Sequence, residues 1–368
     1  MADKQIQKAG DGAQQLQAGT MIVNVGVDEK RAREIFQEMN SQLRKEYSHE
    51  AFEIAVSRIS DFEKRLMPKM EAVDGALEAF ADPSFQLLLV EAQKTAAATE
   101  RPVDYDLLSE LLLHRFQKGA NRVIRAGISR AVEIVDEISD DALLGLTVFH
   151  SVTLFSPASG DIMQGLRTLN DLFGKIIYGK LPVGNEWLDH LDILDAVRIS
   201  PLEGVKKIEQ IYPEMLSGYI ELGIEKESEN YNKALDLLKN HGLSPNILVP
   251  HALNSDFVRM NIQKREEIDS VTLQIKNLKN SQPSILTIPL NTAQKTALQS
   301  IYDLYKQDAA IKQKNIKQFM VEWDKLPNLK KLKDWWDKLS SGIQITSVGR
   351  VLAHSNAQRC DKNLPPLN

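Results

Sequence analysis

At 368 residues, with 43% hydrophobic and 26% charged side chains, the chain has an ordinary globular composition and is long enough for more than one packed unit. A formal net charge of −5 excludes a uniformly basic surface, yet 12 Lys against 6 Asp or Glu between positions 270 and 341 leave a local +6 and −11 elsewhere. The single cysteine, Cys360, excludes a disulfide framework or a thiolate metal cage and predicts a reducing compartment.

The opening "MADKQIQKAG" lacks the apolar core of a signal peptide. Residues 10–27, "GDGAQQLQAGTMIVNVGV", then read as a β-arm. Met21, Val23, Val25 and Val27 share one side of an extended chain, and Gly19 can absorb the phase change from Leu16 and Ala18. A lone ribbon is marginal in water and its backbone groups need partners. Within the chain only "SILTIPL" and "GIQIT" read as further extended pieces. Pairing between copies is therefore expected, with Gln15, Gln17, Gly19, Met21, Val23 and Val25 as oligomerisation residues.

Asp28 is a plausible N-cap for a helix whose apolar stripe runs Ile35, Met39, Leu43, Tyr47, Ala51, Ile54, Ile59, Phe62 and Leu66. Read as one helix it extends about 58 Å to Pro68, long enough for coiled-coil packing against a partner or within a bundle. Helices are predicted next over residues 70–80, 83–98 and 104–138, the last capped by Asp104. Arg115, Lys118, Arg122, Arg125 and Arg130 in that last segment read as a solvated face paired with "EIVDEISDD"; a phosphate or acidic partner is the sharper alternative.

The most apolar run, "ALLGLTVFHSVTLF" at residues 142–155, falls short of the roughly 20 residues that span a bilayer and reads as a buried helix, so no membrane span is expected. The glycines of residues 139–184 form no phosphate loop. "EWLDHLDILD" places Glu186 and His190 one turn apart, but no second Glu-x-x-His motif completes a bundle metal site. His49, His150, His241, His251 and His354 read as scattered and His114 as a half-buried helix histidine. No G-x-S-x-G elbow is present, and no cofactor and no metal ion is expected.

Helical patterning continues over 186–240, with turn residues around 243–250 and a polar helix expected over 258–279. "SQPSILTIPLN" reads as a linker carrying a short extended run. The expected organisation is thus an arm at 1–27, a helical domain at 28–280 and a C-terminal helical unit at 281–368. That last unit holds helices near 292–323 and 328–340, then an extended piece, a Thr or Ser cap and a final helix. In "WDKLPNLKKLKDWWDKL", Lys330, Lys331, Lys333 and Lys338 surround Trp335 and Trp336. Stacking on single-stranded nucleic acid and docking at an anionic membrane surface are the sharper readings. The Leu326, Leu329, Leu332, Trp336, Leu339 stripe favours an ordinary packed helix.

The "GxxxxQxQAGxxxxN" pattern at Gln15, Gln17, Ala18, Gly19 and Asn24 resembles the N-terminus of an uncharacterised bacterial family, the LPO_1073/Vpar_1526 group. The close "QITSVGRVLAHSN" is similar to that family's "LTxxGxxIAxxN" element through Thr346, Gly349, Ala353 and Asn356, with Ile345 in place of leucine; it also resembles the ending of Abi-alpha-type abortive-infection proteins. The resemblance implies a bacterial cytoplasmic protein tied to antiviral defence and carries over no catalytic residue. The fold class expected is mainly α, a multi-helix bundle with a β-arm. The function expected is a non-enzymatic homo-oligomer that binds a protein partner or phage component, with a nucleic-acid-binding defence factor and an enzyme with a non-motif site as alternatives.

Overall fold

The computed structural model describes residues 27–40, 48–200, 204–279 and 282–367. The fold is mainly helical, as the periodicity predicts. In chain order come α1 (Glu29–Asn40), α2 (His49–Glu71), a 3-10 turn at Ala76–Ala81, α3 (Pro83–Ala98), α4 (Pro102–Lys118), α5 (Arg122–Glu133), α6 (Asp140–Leu154), α7 (Ile162–Ile176) and α8 (Glu186–Ile193). Short strands then alternate with helices: β1 (Val197–Ser200), α9 (Ile208–Met215), α10 (Ser217–Ile220), β2 (Ile224–Glu225), α11 (Glu229–Asn240), β3 (Leu248–Pro250) and β4 (Phe257–Met260). The hairpin β5 (Thr272–Lys279) and β6 (Gln282–Pro289) leads to α12 (Thr292–Asp303), α13 (Ala309–Asp324), α14 (Pro327–Trp336), β7 (Gly342–Ile345) and α15 (Ser347–Cys360).

Several expectations change. Phe36 and Phe62 would lie about 39 Å apart along one straight helix, but their ring centroids are 5.9 Å apart. Arg33 reaches Glu63 at 3.4 Å and Glu71 at 3.2 Å. Helices α1 and α2 are therefore folded against one another, and a stripe of three-to-five spacing served both halves. Pro68 does not stop α2, which runs on to Glu71. The helix expected at 70–80 is instead a 3-10 turn entered through Gly75 at φ 73°. Residues 104–138 break at Asn121, whose side chain caps α5 by accepting from the amides of Val123 and Ile124.

The polar helix expected over 258–279 is instead strand β4, a 3-10 turn at Arg265–Ser270 and strand β5. Phe257–Met260 is buried at all four positions, the signature of a central strand rather than a polar helix face. Accordingly β4 lies between β2 and β3, antiparallel to both. The expected linker forms β6, laddered to β5 from Thr272↔Pro289 to Lys279↔Gln282, so the boundary drawn after residue 280 falls within this hairpin. "GIQIT" supplies β7, antiparallel to β1 from Val197↔Ile345 to Ser200↔Gly342. The oligomerisation residues Gln15, Gln17, Gly19, Met21, Val23 and Val25 lie outside the described residues; Val27 packs against the larger core.

Two hydrophobic cores result. The smaller is built from β2, β4, α11, α12 and neighbouring turns, around Ile224, Leu238, Met260, Ile268 and Ile301. The larger joins α1–α9 to α13, α14 and α15. At its centre α15 packs against α4, α5 and α6. Both α6 and α15 are buried almost all round. Such helices cannot shed their polar side chains into solvent, so each must find an internal partner. This requirement builds the site described next.

The arginine at position 259 connects the two cores. It is buried, without a carboxylate, and donates to the carbonyl oxygens of Gly218 (2.8 Å), Gly160 (2.9 Å) and Ile262. Its guanidinium also lies 5.7 Å from the centroid of the Tyr219 ring.

Candidate functional site

Three of the seven histidines, separated by up to 240 positions, converge on the face where α15 meets α4 and α6. His354, on α15, donates from Nε2 to the carbonyl of Pro365 at 3.0 Å, which leaves Nδ1 as an acceptor. His150, on α6, supplies the matching Nε2–H at 3.3 Å. His114, on α4, accepts from the Ser355 hydroxyl at 2.9 Å through Nδ1 and donates from Nε2 to Gln358 at 2.5 Å. The His354 ring lies 5.6 Å from that of His150 and 5.8 Å from that of His114, centroid to centroid. Burial holds all three neutral: His150 is pushed down to about 3, His354 to about 4, and His114 below its ordinary value. Charge repulsion in the cluster acts in the same direction, from His354 and then Arg350 at His150, and from His114 at His354.

Spacing could not reveal this cluster, because no two of these histidines share a helix turn. The available signal was burial. His150 sits in the most apolar helix of the chain and His354 in the closing motif, so a histidine in either place needs a partner.

A cavity of about 560 Å³ opens above the His150–His354 pair. Its walls are Phe149 and Phe155 beside α6, Ile343 and Ile345 from β7, and the tail residues Pro365–Leu367. Arg350, one turn before His354 on α15, lines the same space. Its guanidinium is exposed and makes no ion pair or hydrogen bond among the described residues. A second chamber of about 600 Å³ shares Phe149, Thr153 and Ile343 with the first and extends to Trp336, Val205 and Met215. Phe149 stacks on Trp336 at 4.7 Å, forming the wall common to both. Thr153 turns its hydroxyl back to the carbonyl of His150 at 2.9 Å.

The closing motif explains how α15 is seated. Thr346 caps the helix by accepting from the Gly349 amide at 3.2 Å and donates to the carbonyls of Asp195 (2.6 Å) and Ala196 (3.0 Å). Gly349 lies so close to that Ala196 carbonyl that an added Cβ would stand 1.9 Å from its oxygen. Ala353 is fully buried. Asn356 donates to Thr147 at 2.8 Å and to the Tyr178 hydroxyl at 3.3 Å, and accepts from Arg359 at 2.8 Å. All four residues dock the helix. One family model matches residues 26–365.

The chain belongs to the LPO_1073/Vpar_1526-like family of uncharacterised proteins. No curated protein and no solved structure matches it. For a member of this family, the four motif positions are thus the means by which the last helix is fixed over the cavity.

The other sequence candidates sit elsewhere. Trp323, Trp335 and Trp336 are buried, and their indole N–H groups donate to the carbonyls of Leu329 (2.8 Å), Pro182 (2.7 Å) and Lys206 (2.8 Å). None is presented as a stacking platform for bases. Lys330 pairs with Asp334 at 2.9 Å, Lys333 with Asp324 at 2.6 Å, and Lys331 donates to the Gly179 carbonyl at 3.3 Å; Lys338 is exposed. His190 accepts from the Ser139 amide at 3.2 Å and so ties α8 to the start of α6. Among the described residues no group of three or more His, Cys, Asp or Glu side chains is arranged to hold a metal ion. Among them, too, no helix is long and apolar enough to cross a membrane.

Proposed function

We propose that this chain is a non-enzymatic binding protein that takes a ligand in the cavity between α6, β7 and α15. The observation that carries the reading is the polar lining. Two neutral imidazoles are committed to each other and to a backbone carbonyl, beside a guanidinium with no internal partner. Such a set offers hydrogen bonds and a positive charge, while Thr153, the nearest hydroxyl, is turned into its own helix. A thermal-shift screen of small amphiphiles on the full-length protein tests it. Ligands at a hundred times their Kd should add about 2.7 kcal/mol of stability and be recovered unchanged. Recovery of a transformed product would overturn the non-enzymatic reading, and a panel without any shift would overturn the cavity.

Self-association through the N-terminal arm and a role in antiviral defence belong to the same proposal, supported by the alternation at Met21, Val23 and Val25 and by the closing-motif resemblance. Light scattering after size exclusion, on the full chain and on one lacking residues 1–27, should give a multimer for the first and a smaller mass for the second. Monomers in both would end the proposal.

A second reading, nucleic-acid binding through Lys330, Lys331, Lys333 and Lys338, is favoured by the local +6 between positions 270 and 341. With the tryptophans buried, it rests on phosphate contacts alone. Binding that survives added salt, or replacement of Lys330, Lys331 and Lys333 by Glu, would remove it.

A further inference from the structure

The two chambers differ in what they can recognise. The first has one charged pole, where Arg350 and the His150–His354 pair lie on adjoining helices. Away from that pole the lining turns apolar, through Phe149 and Ile343 to Trp336 and Met215 of the second chamber, which the Lys206–Glu214 ion pair at 2.7 Å also lines. Among the described residues no carboxylate pairs with Arg350, and its charge is one reason His150 stays unprotonated. An incoming negative group would meet a free fork of N–H donors without displacing an existing ion pair. The body of that ligand would lie on aromatic and aliphatic carbon.

We propose that the two chambers, which share Phe149, Thr153 and Ile343, act together to bind an amphipathic anion, a single acidic head group on an unbranched apolar tail, with the head at Arg350 and the tail passing Phe149 toward Trp336. Carboxylate and phosphate monoester heads share this chemistry. The size agrees with the assignment, because the first chamber's 560 Å³ exceeds what a bare anion fills, and Phe149, Thr153 and Ile343 line both spaces. The inference rests on the cavity being a binding site and goes further by naming what enters it.

The test uses the full-length protein and isothermal titration with four probes: decanoate, decyl phosphate, decanol and inorganic phosphate, each below its aggregation concentration. Decanoate or decyl phosphate should bind, and whichever is tighter identifies the head group. Inorganic phosphate should bind at least a hundredfold more weakly. Shortening the tail from ten to eight carbons should weaken binding by about fourfold per methylene. Arg350→Gln should weaken the acidic amphiphile tenfold or more and leave decanol unaffected. Trp336 fluorescence should change on binding, since its ring lines the second chamber.

Equal binding of decanol and decanoate, or an Arg350→Gln variant that binds decanoate normally, would overturn the anionic assignment and leave the cavity as a binding site for neutral ligands. No heat and no fluorescence change with any of the tailed probes would overturn both readings. Arg350 is exposed, so the variant should fold normally, and an unchanged melting temperature without ligand checks that it does.

Discussion

Gly349→Ala provides a demanding test of how α15 is held. The added methyl would stand 1.9 Å from the Ala196 carbonyl oxygen, where even a tight contact requires about 3 Å, so helix and loop must separate by more than 1 Å. The obstacle is backbone on a segment that also pairs β1 with β7, so no side chain can rotate out of the way. The same carbonyl accepts the Thr346 amide at 3.1 Å and its hydroxyl at 3.0 Å, and separation weakens both bonds. Overpacking of this kind destabilises by about 1–3 kcal/mol, and two hydrogen bonds contribute about 1 kcal/mol each. Alanine's better helix propensity returns about 1 kcal/mol. The net loss is about 2–4 kcal/mol, which lowers the midpoint of thermal unfolding by about 3–5 °C for a chain of this size. Gly179→Ala is the control: its Cβ would meet only Leu144 Cδ2, at 3.4 Å, and its melting curve should superpose on the parent. A Gly349→Ala protein that melts at or above the parent temperature by circular dichroism would refute the packing argument.

Three further expectations concern the buried polar groups. His150, His354 and His251, pushed down to about 3, 4 and 4, are bases that the unfolded chain protonates first. Their stabilisation is therefore complete above about pH 6.5 and is lost as pH falls toward 4, at up to about 1.4 kcal/mol per pH unit for each group; denaturant midpoints from pH 7 to 4.5 should decline, and His150→Gln should flatten the decline. Arg259→Met leaves the carbonyls of Gly218, Gly160 and Ile262 without their donor, and about 3–5 kcal/mol should be lost; hydrogen exchange should show residues 257–263 deprotected before α4 and α6, and uniform loosening would count against the connecting role. Trp335→Phe removes the bond to the Pro182 carbonyl and part of a buried ring, at a loss of at least about 1 kcal/mol in chemical denaturation; a loss of nucleic-acid binding in this variant without a change in stability would contradict the burial of that ring.

The sequence made the helical class legible because stripes of three-to-four spacing recur through most of the chain. It also showed the end well. "GIQIT", a Thr cap and a last helix are all present, because N-capping chemistry and β-branched alternation are local signals. What it hid was long-range. The stripe from Ile35 to Leu66 looked continuous because periodicity does not show that α1 and α2 are separate helices packed on each other. The run from Val258 to Lys279 looked like a polar helix because its apolar residues are few, and only pairing with Ile224, Leu248 and Ile288 makes them strands. The candidate site was illegible for the same reason. His114, His150 and His354 lie on three different helices, and a lone buried histidine shows its need for a partner without showing which one.

The placement of α15 also bears on how the protein is made. Helix α6 leaves the ribosome with apolar residues on every side, and the helix that covers it begins at Ser347, 193 positions after Leu154. At translation rates of about 5–20 residues per second, that surface waits roughly 10–40 s for its cover. Apolar surface exposed for that long is prone to aggregate, and a message truncated before the last helix would leave it permanently uncovered on that side.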